Sequence, residues 1–145
     1  METIVARPFA FVGPYLNLDI HFAVGNFIRD GLERRAINVN GDGTAFSSYM
    51  YASDLAEWLW TILLKGKTGQ VYNVGSDEVI SIKDLAYLVS DCFPHKPEVQ
   101  INQKPNLTQP PLRYVPSIDR SKKELNLSVR IDLKTAIMRT IDWHN

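Results

Sequence analysis

The sequence is short of several things, and each shortage closes off a class of protein. One cysteine, Cys92, stands in 145 residues, so no internal disulfide can staple the chain. Cys92 falls in a helical pattern and reads as a small buried apolar residue rather than a nucleophile. There is no excess of charge: 16 Lys and Arg balance 16 Asp and Glu. Neither a basic groove for nucleic acid nor a patch for an acidic membrane surface is encoded. The longest apolar stretch, near residues 55–64, is about half of a bilayer span. No apolar leader opens the chain, which sets the expectation of a cytoplasmic protein without a membrane partner. His21, His95 and His144 lack the close spacing of metal ligands, and His21 reads as a surface or packing residue. None of the six tyrosines has a lysine four residues later, so a Y-x-x-x-K proton-relay pair is missing. G-x-G-x-x-G is missing too, because Phe46 stands where the third glycine must admit a close helix. No nucleophile elbow is present. Read from its residues alone, the chain is not a self-sufficient enzyme.

What is there is one domain's worth of α/β material, 45% hydrophobic. Residues 3–6 are β-branched and apolar and predict a strand buried on both faces, with neighbours on both sides. Such a strand directly after Met1 raises the expectation that the chain starts in mid-fold. Asp19 is placed to cap a helix over 20–34, with Ile20, Ala23, Phe27 and Leu32 inward and Arg29, Asp30, Glu33 and Arg34 outward. Residues 36–40 alternate as a half-buried strand, Ile37 and Val39 against Asn38 and Asn40. Gly41-Asp42-Gly43 then supplies a hairpin turn into a second short strand at 46–52. Asp54 with Glu57 resembles a capping box for a helix to Lys65, apolar nearly all round and therefore expected to be buried nearly all round. A strand at 70–74, a helix opened by Ser81 and Asp84, a short strand at 98–102 and a last helix opened by Asp132 complete the pattern. Between Pro94 and Pro116 lie six of the eight prolines, which read as an ordered arm rather than a domain. Polar and aromatic residues beside permissive glycines at strand and helix ends are what a ligand lip is made of. Taken singly, Asn38, Asn40, Asn73 and Arg113 also fit solvated strand, turn and loop positions.

Seven segments, in this order, make the pattern specific: ARPFAFVGPY (6–15), GNFI (25–28), INVNGDGTAFSSYMYASDLA (37–56), GQVYNVGS (69–76), SIKDLAYLV (81–89), RYVPSIDRSKKELNL (113–127) and TIDW (140–143). Together they resemble the C-terminal half of the extended short-chain dehydrogenase family, the NAD-dependent nucleotide-sugar epimerases and dehydratases. The resemblance implies an α/β fold: Rossmann-edge strand or strands, plus the small α/β substrate-binding lobe. It implies a single lobe over 1–145, with 1–18 a remnant of the parallel sheet and 94–116 an arm within it. The glycine-rich NAD loop and the Tyr/Lys pair would lie in a missing N-terminal half, whether the truncation is natural or artificial. NAD would then be the cofactor of the complete enzyme and of no use to this chain alone, with no catalytic residue and no metal here.

By the same resemblance, Pro8 and Phe9 run past the nicotinamide, and Asn26 and Phe27 begin the helix facing the substrate diphosphate. Asn38 and Asn40 lie beside the nucleotide base, Ser47 and Tyr49 belong to the lip, and Asn73 and Arg113 approach the phosphates or the base. Amide and guanidinium donors suit a diphosphate. Two positions depart from the family. Many members carry Asn where Ala10 stands, and most carry a phosphate-pairing Arg where Ser47 stands. The implied function is binding of a nucleotide sugar, with chemistry supplied elsewhere. The alternative is a non-catalytic remnant acting only in binding or self-association. The implied partners are the sugar nucleotide and either a complementing N-terminal half or further copies of the chain.

Overall fold

A computed structural model of the chain describes residues 2–20, 22–106 and 108–145, so the expectation for His21 lies outside the described residues. Its elements in chain order are β1 (Val5–Pro8), β2 (Phe11–Val12), α1 (Ala23–Leu32), β3 (Ile37–Val39), β4 (Phe46–Ser47), β5 (Met50–Tyr51) and α2 (Ala52–Lys65). There follow β6 (Val71–Val74), β7 (Ile80–Ser81), α3 (Ile82–Asp91), β8 (Val99–Ile101), β9 (Arg113–Tyr114), α4 (Asp119–Leu125) and α5 (Leu133–His144). The fold is mixed α/β, with parallel strand pairs and five helices among the described residues.

Parallel pairing organises the chain. The extended stretch 5–12 pairs with β6 over its first half, Val5 beside Val71 and Pro8 beside Val74, and with β5 over its second, Phe11 beside Met50. β3 runs parallel to β8, and β4 lies between antiparallel β7 and parallel β9. The glycine-rich turn therefore closes no hairpin: it is where the chain leaves one pairing and enters another. Gly43 sits at φ 76°, and a Cβ there would be 2.8 Å from that of Lys83. Glycine answers both demands.

Local patterning placed several elements well. Ile37 and Val39 are buried and Asn38 and Asn40 exposed. Ser81 caps α3 by accepting the Asp84 amide at 3.0 Å, and Asp132 caps α5 by accepting the Thr135 amide at 2.9 Å. Other expectations are corrected. The first strand is not buried on both faces: Val5 is 49% exposed, and among the described residues β1 is paired on one edge only, by β6. α1 begins at Ala23 behind an extended Phe22, while the Asp19 carboxylate accepts from Arg29 at 3.0 Å instead of capping. Asp30 is buried rather than outward. α2 starts before Asp54, whose carboxylate accepts the backbone N–H groups of Arg130 at 2.9 Å and Ile131 at 3.1 Å. Its outer face is not buried either: Trp60 and Leu63 are each 65% exposed and Leu64 75%. Cys92 follows α3 half-buried, and burial pushes its thiol up, away from thiolate reactivity.

Two apolar clusters hold these elements. The larger joins α1, β3, α3 and α5 through Phe27, Ile28, Ile37, Val39, Leu85, Val89 and Ile137. The smaller joins α2, β6 and the ends of α4 through Trp58, Ile62, Tyr72, Val74, Ile118 and Leu127. No helix among the described residues is long and apolar enough to cross a membrane.

Candidate functional site

The first turn of α1 and the exposed edge of β3 face one another across a slot. Asn26 and Phe27 come from the helix, Asn38, Val39 and Asn40 from the strand, and Gly41, Asp42 and Gly43 from the turn. Ala23, Ala45 and Ile82 complete an apolar floor, and the cavity holds about 280 Å³. Its shape follows from the chain. The strand's alternation sends Ile37 and Val39 into the core and turns the two asparagines outward. The Asn38 amide Nδ2 donates to Ala36 O at 2.9 Å, leaving its Oδ1 as acceptor. At the mouth, Asp42 accepts from the Thr44 amide at 2.9 Å, from the Thr44 hydroxyl at 2.8 Å and from the Asn106 amide at 3.4 Å. Those bonds, the Thr44 amide first, hold its carboxyl below the ordinary carboxylate range.

A second group gathers beside β4. Phe46 is aligned with Arg113 and Ser47 with Tyr114, and the Tyr114 ring lies 4.9 Å from that of Phe9. Arg113 is exposed and makes no ion pair among the described residues. Ser47 is 8% exposed, and the Oγ of Ser48 is buried without a partner among the described residues. Tyr49 turns into the larger core, where burial pushes its phenol up against a smaller opposing pull from Ser47. Asn73 lies beside Arg7 and spends Nδ2 on Ser117 O at 2.9 Å. Thus Asn26, Phe27, Asn38 and Asn40 share a cavity, Phe9 and Ser47 lie beside Tyr114 while Arg113 is paired with Phe46, and Tyr49 and Asn73 are engaged in packing and in holding the 116–117 segment. Asp30, which the sequence pattern set on the solvent side, stands directly behind the slot.

The glycines that follow β2 and β6 are packed closely, whereas Gly41 and Gly69 have nothing within 4 Å of an added Cβ. A Cβ on Gly13 would be 2.6 Å from that of Ala52, and one on Gly75 would be 2.9 Å from Pro116 Cγ. A pyrophosphate needs a glycine loop whose backbone is approachable from outside. The sequence carries no G-x-G-x-x-G loop to provide one. Nor do the described residues hold a His, Cys, Asp and Glu cluster suited to a metal ion.

The profile described as "NAD dependent epimerase/dehydratase family" matches residues 1–75. UDP-glucuronic acid decarboxylase 1 from Arabidopsis thaliana is 30% identical over 146 aligned residues, covering 100% of this chain and 33% of its own length. UDP-glucuronic acid decarboxylase 6 from the same plant is 30% identical, covering 94% of this chain and 39% of its own. The chain therefore spans about a third of the length of the curated relatives it matches. Among solved structures, the Thermotoga maritima UDP-glucose 4-epimerase superposes with a TM-score of 0.82 at 18% identity, over 99% of this chain and 46% of that one. The Bordetella bronchiseptica enzyme WbmF, solved in complex with NAD+ and UDP, superposes at 0.83 and 22% identity over 99% and 45%. Identity at that level speaks to the fold alone.

Proposed function

The chain belongs to the NAD dependent epimerase/dehydratase family, and from that premise we propose that it is the substrate-binding portion of a nucleotide-sugar enzyme whose chemistry is supplied by an N-terminal half that this sequence does not include. The observation that carries this reading is the slot between α1 and β3, apolar at its floor and rimmed by the Asn26, Asn38 and Asn40 amides. A flat heterocycle with carbonyl and N–H edges suits such a slot. The negative Asp42 at its mouth disfavours phosphate there, while Arg113, without an ion pair among the described residues, offers a guanidinium outside. Base in the slot and diphosphate toward Arg113 is the consistent orientation; it sets Asn26 and Phe27 against the base rather than the diphosphate, and leaves Asn73, whose Nδ2 is spent on Ser117 O, to hold the 116–117 segment. The relatives' names point to UDP as the nucleotide.

The assignment extends to a single lobe over 1–145, with 1–18 as sheet remnant and 94–116 as an arm, working in the cytoplasm. Pro8 and Phe9 would border a nicotinamide held chiefly by the other half. NAD would supply hydride transfer in the complete enzyme, and the residues of this chain bind and orient the sugar nucleotide. A second reading, a remnant that only binds or self-associates, is favoured by one observation: the apolar outer face of α2 lies beside the edge of β1 that no strand among the described residues pairs.

Thermal-shift titration separates the two. UDP-glucuronic acid or UDP-glucose is expected to raise the melting temperature of the chain, and NAD alone to leave it unchanged. No shift with UDP-, GDP-, CDP- or dTDP-sugars would leave the remnant reading standing, and a shift with NAD alone would overturn the division of labour.

A further inference from the structure

We propose that Asp30 is a positioning residue of the slot: its carboxylate fixes the distance between the helix that carries Asn26 and the strand that carries Asn38 and Asn40. The inference rests on the nucleotide-binding reading above and names the residue that sets the site's width.

β3 uses one edge for pairing with β8, through Ile37 N–H to Glu98 O at 2.8 Å and Asn102 N–H to Val39 O at 3.0 Å. A strand's N–H groups alternate sides, so the Asn38 N–H points the other way, toward α1. There it donates to Asp30 Oδ2 at 3.4 Å, at the long end of hydrogen-bond range. On α1, Asp30 is four residues after Asn26, so the two share a face one turn apart. The face that lines the slot at Asn26 thus also reaches the opposite wall at Asp30.

Two cations stand by the other carboxylate oxygen. Arg35 Nη2 donates to Oδ1 at 3.1 Å and Arg29 Nη2 at 3.4 Å, while Arg29 Nη1 reaches Asp19 at 3.0 Å. With its side chain 8% exposed, Asp30 is costly as a lone charge, and the guanidiniums make it tolerable. An ion pair of this kind stabilises little compared with an apolar replacement, so its use lies in fixing geometry. A second, polar cavity of about 350 Å³, lined by Asn26, Arg29, Asp30, Arg35, Asn38 and Asn40, adjoins the slot on this side. The three asparagines form the wall the two cavities share, and Asp30 holds that wall from behind.

Two variants split position from charge. Asp30→Asn keeps an acceptor at the same reach and loses the charge, whereas Asp30→Glu keeps the charge and lengthens the arm by one methylene. Binding of UDP to the full chain is read by calorimetry, and exchange of the Asn38 amide by NMR. Asp30→Asn should stay within about threefold of the wild-type dissociation constant, while Asp30→Glu should weaken it about tenfold. Asp30→Glu should also speed exchange at Asn38 and leave Ile37, paired to β8, unchanged. Equal affinities for both variants, or the reverse ranking, would overturn the inference. If wild-type chain fails to bind UDP, the nucleotide reading fails separately, and the exchange at Asn38 still decides: no difference between Asp30→Glu and wild type removes the positioning role.

Discussion

At the start of α5 the Asp132 carboxylate takes the Thr135 hydroxyl at 2.7 Å and the Thr135 amide at 2.9 Å. These bonds, the hydroxyl's first, hold its carboxyl below the usual range. A depressed carboxyl stabilises the fold above its unfolded value and loses that contribution as the pH falls through its folded one. Asp132→Ala should therefore cost about 1 kcal/mol at neutral pH. The difference from wild type in urea unfolding should shrink as the pH drops below about 4. An unchanged difference in acid would show that the cap does not depend on charge. Ser47 lends itself to a gain of function. It is buried beside Tyr114, next to the position that pairs with Arg113, where the resemblance leads one to expect arginine. Ser47→Arg should tighten nucleotide-sugar binding about 10- to 100-fold, since a charged hydrogen bond contributes roughly 1.5–3 kcal/mol. An unaltered dissociation constant would separate this strand from the phosphates. Ser47 and Arg113 could be singled out from the sequence because they sit in linear motifs. Asp30 could not: between Arg29 and a run of Glu33, Arg34 and Arg35 it reads as part of a solvated face, and only the return of β3 reveals its partner.

At the scale of elements, α2 has two unlike sides. Inward, Trp58 is buried and its Nε1 donates to Ser128 O at 3.3 Å, and Asp54 holds the Arg130 and Ile131 amides. Arg130 also reaches Glu57 at 2.7 Å. The helix thereby fastens the segment that leads into α5, and Asp54→Ala should cost roughly 2–3 kcal/mol by leaving two amide donors unanswered. Chemical denaturation measures it, and a loss within the range of an ordinary surface substitution would show that water replaces the carboxylate. The sequence pattern located this helix to within three residues at its start, because apolar spacing is local. It misread Asp54, because a D-x-x-E pattern serves a cap and a long-range latch equally, and the partner lies 76 residues away. It misread the burial, because spacing reports which residues are apolar and not what faces them.

For the whole molecule the same limit applies. Helices and strands came from short-range order, whereas the parallel pairings of β1 with β6 and β3 with β8 join distant stretches that no local pattern links. The slot was foreseeable as a set of residues within 26–43, but not as a cavity with a carboxylate behind it. Outside the cores, Leu59, Trp60, Leu63 and Leu64 leave α2 with an apolar face larger than scattered surface residues would make. By itself the chain should run in size-exclusion chromatography above its monomer size. Leu63→Glu should return it to monomer without measurable loss of stability, since Leu63 is 65% exposed. A monomeric wild type would remove self-association from the alternatives.

The edge of β1 that no strand among the described residues pairs carries this further. Backbone groups on an open strand edge are a template for an added extended segment, so strands that reach it compete for the place. Preparation should then set the outcome: a chain concentrated by itself would accumulate like-with-like species, while one synthesised alongside the N-terminal half proposed above would be captured before it could. Dilution and order of mixing, rather than temperature, become the experimental handles on this polypeptide.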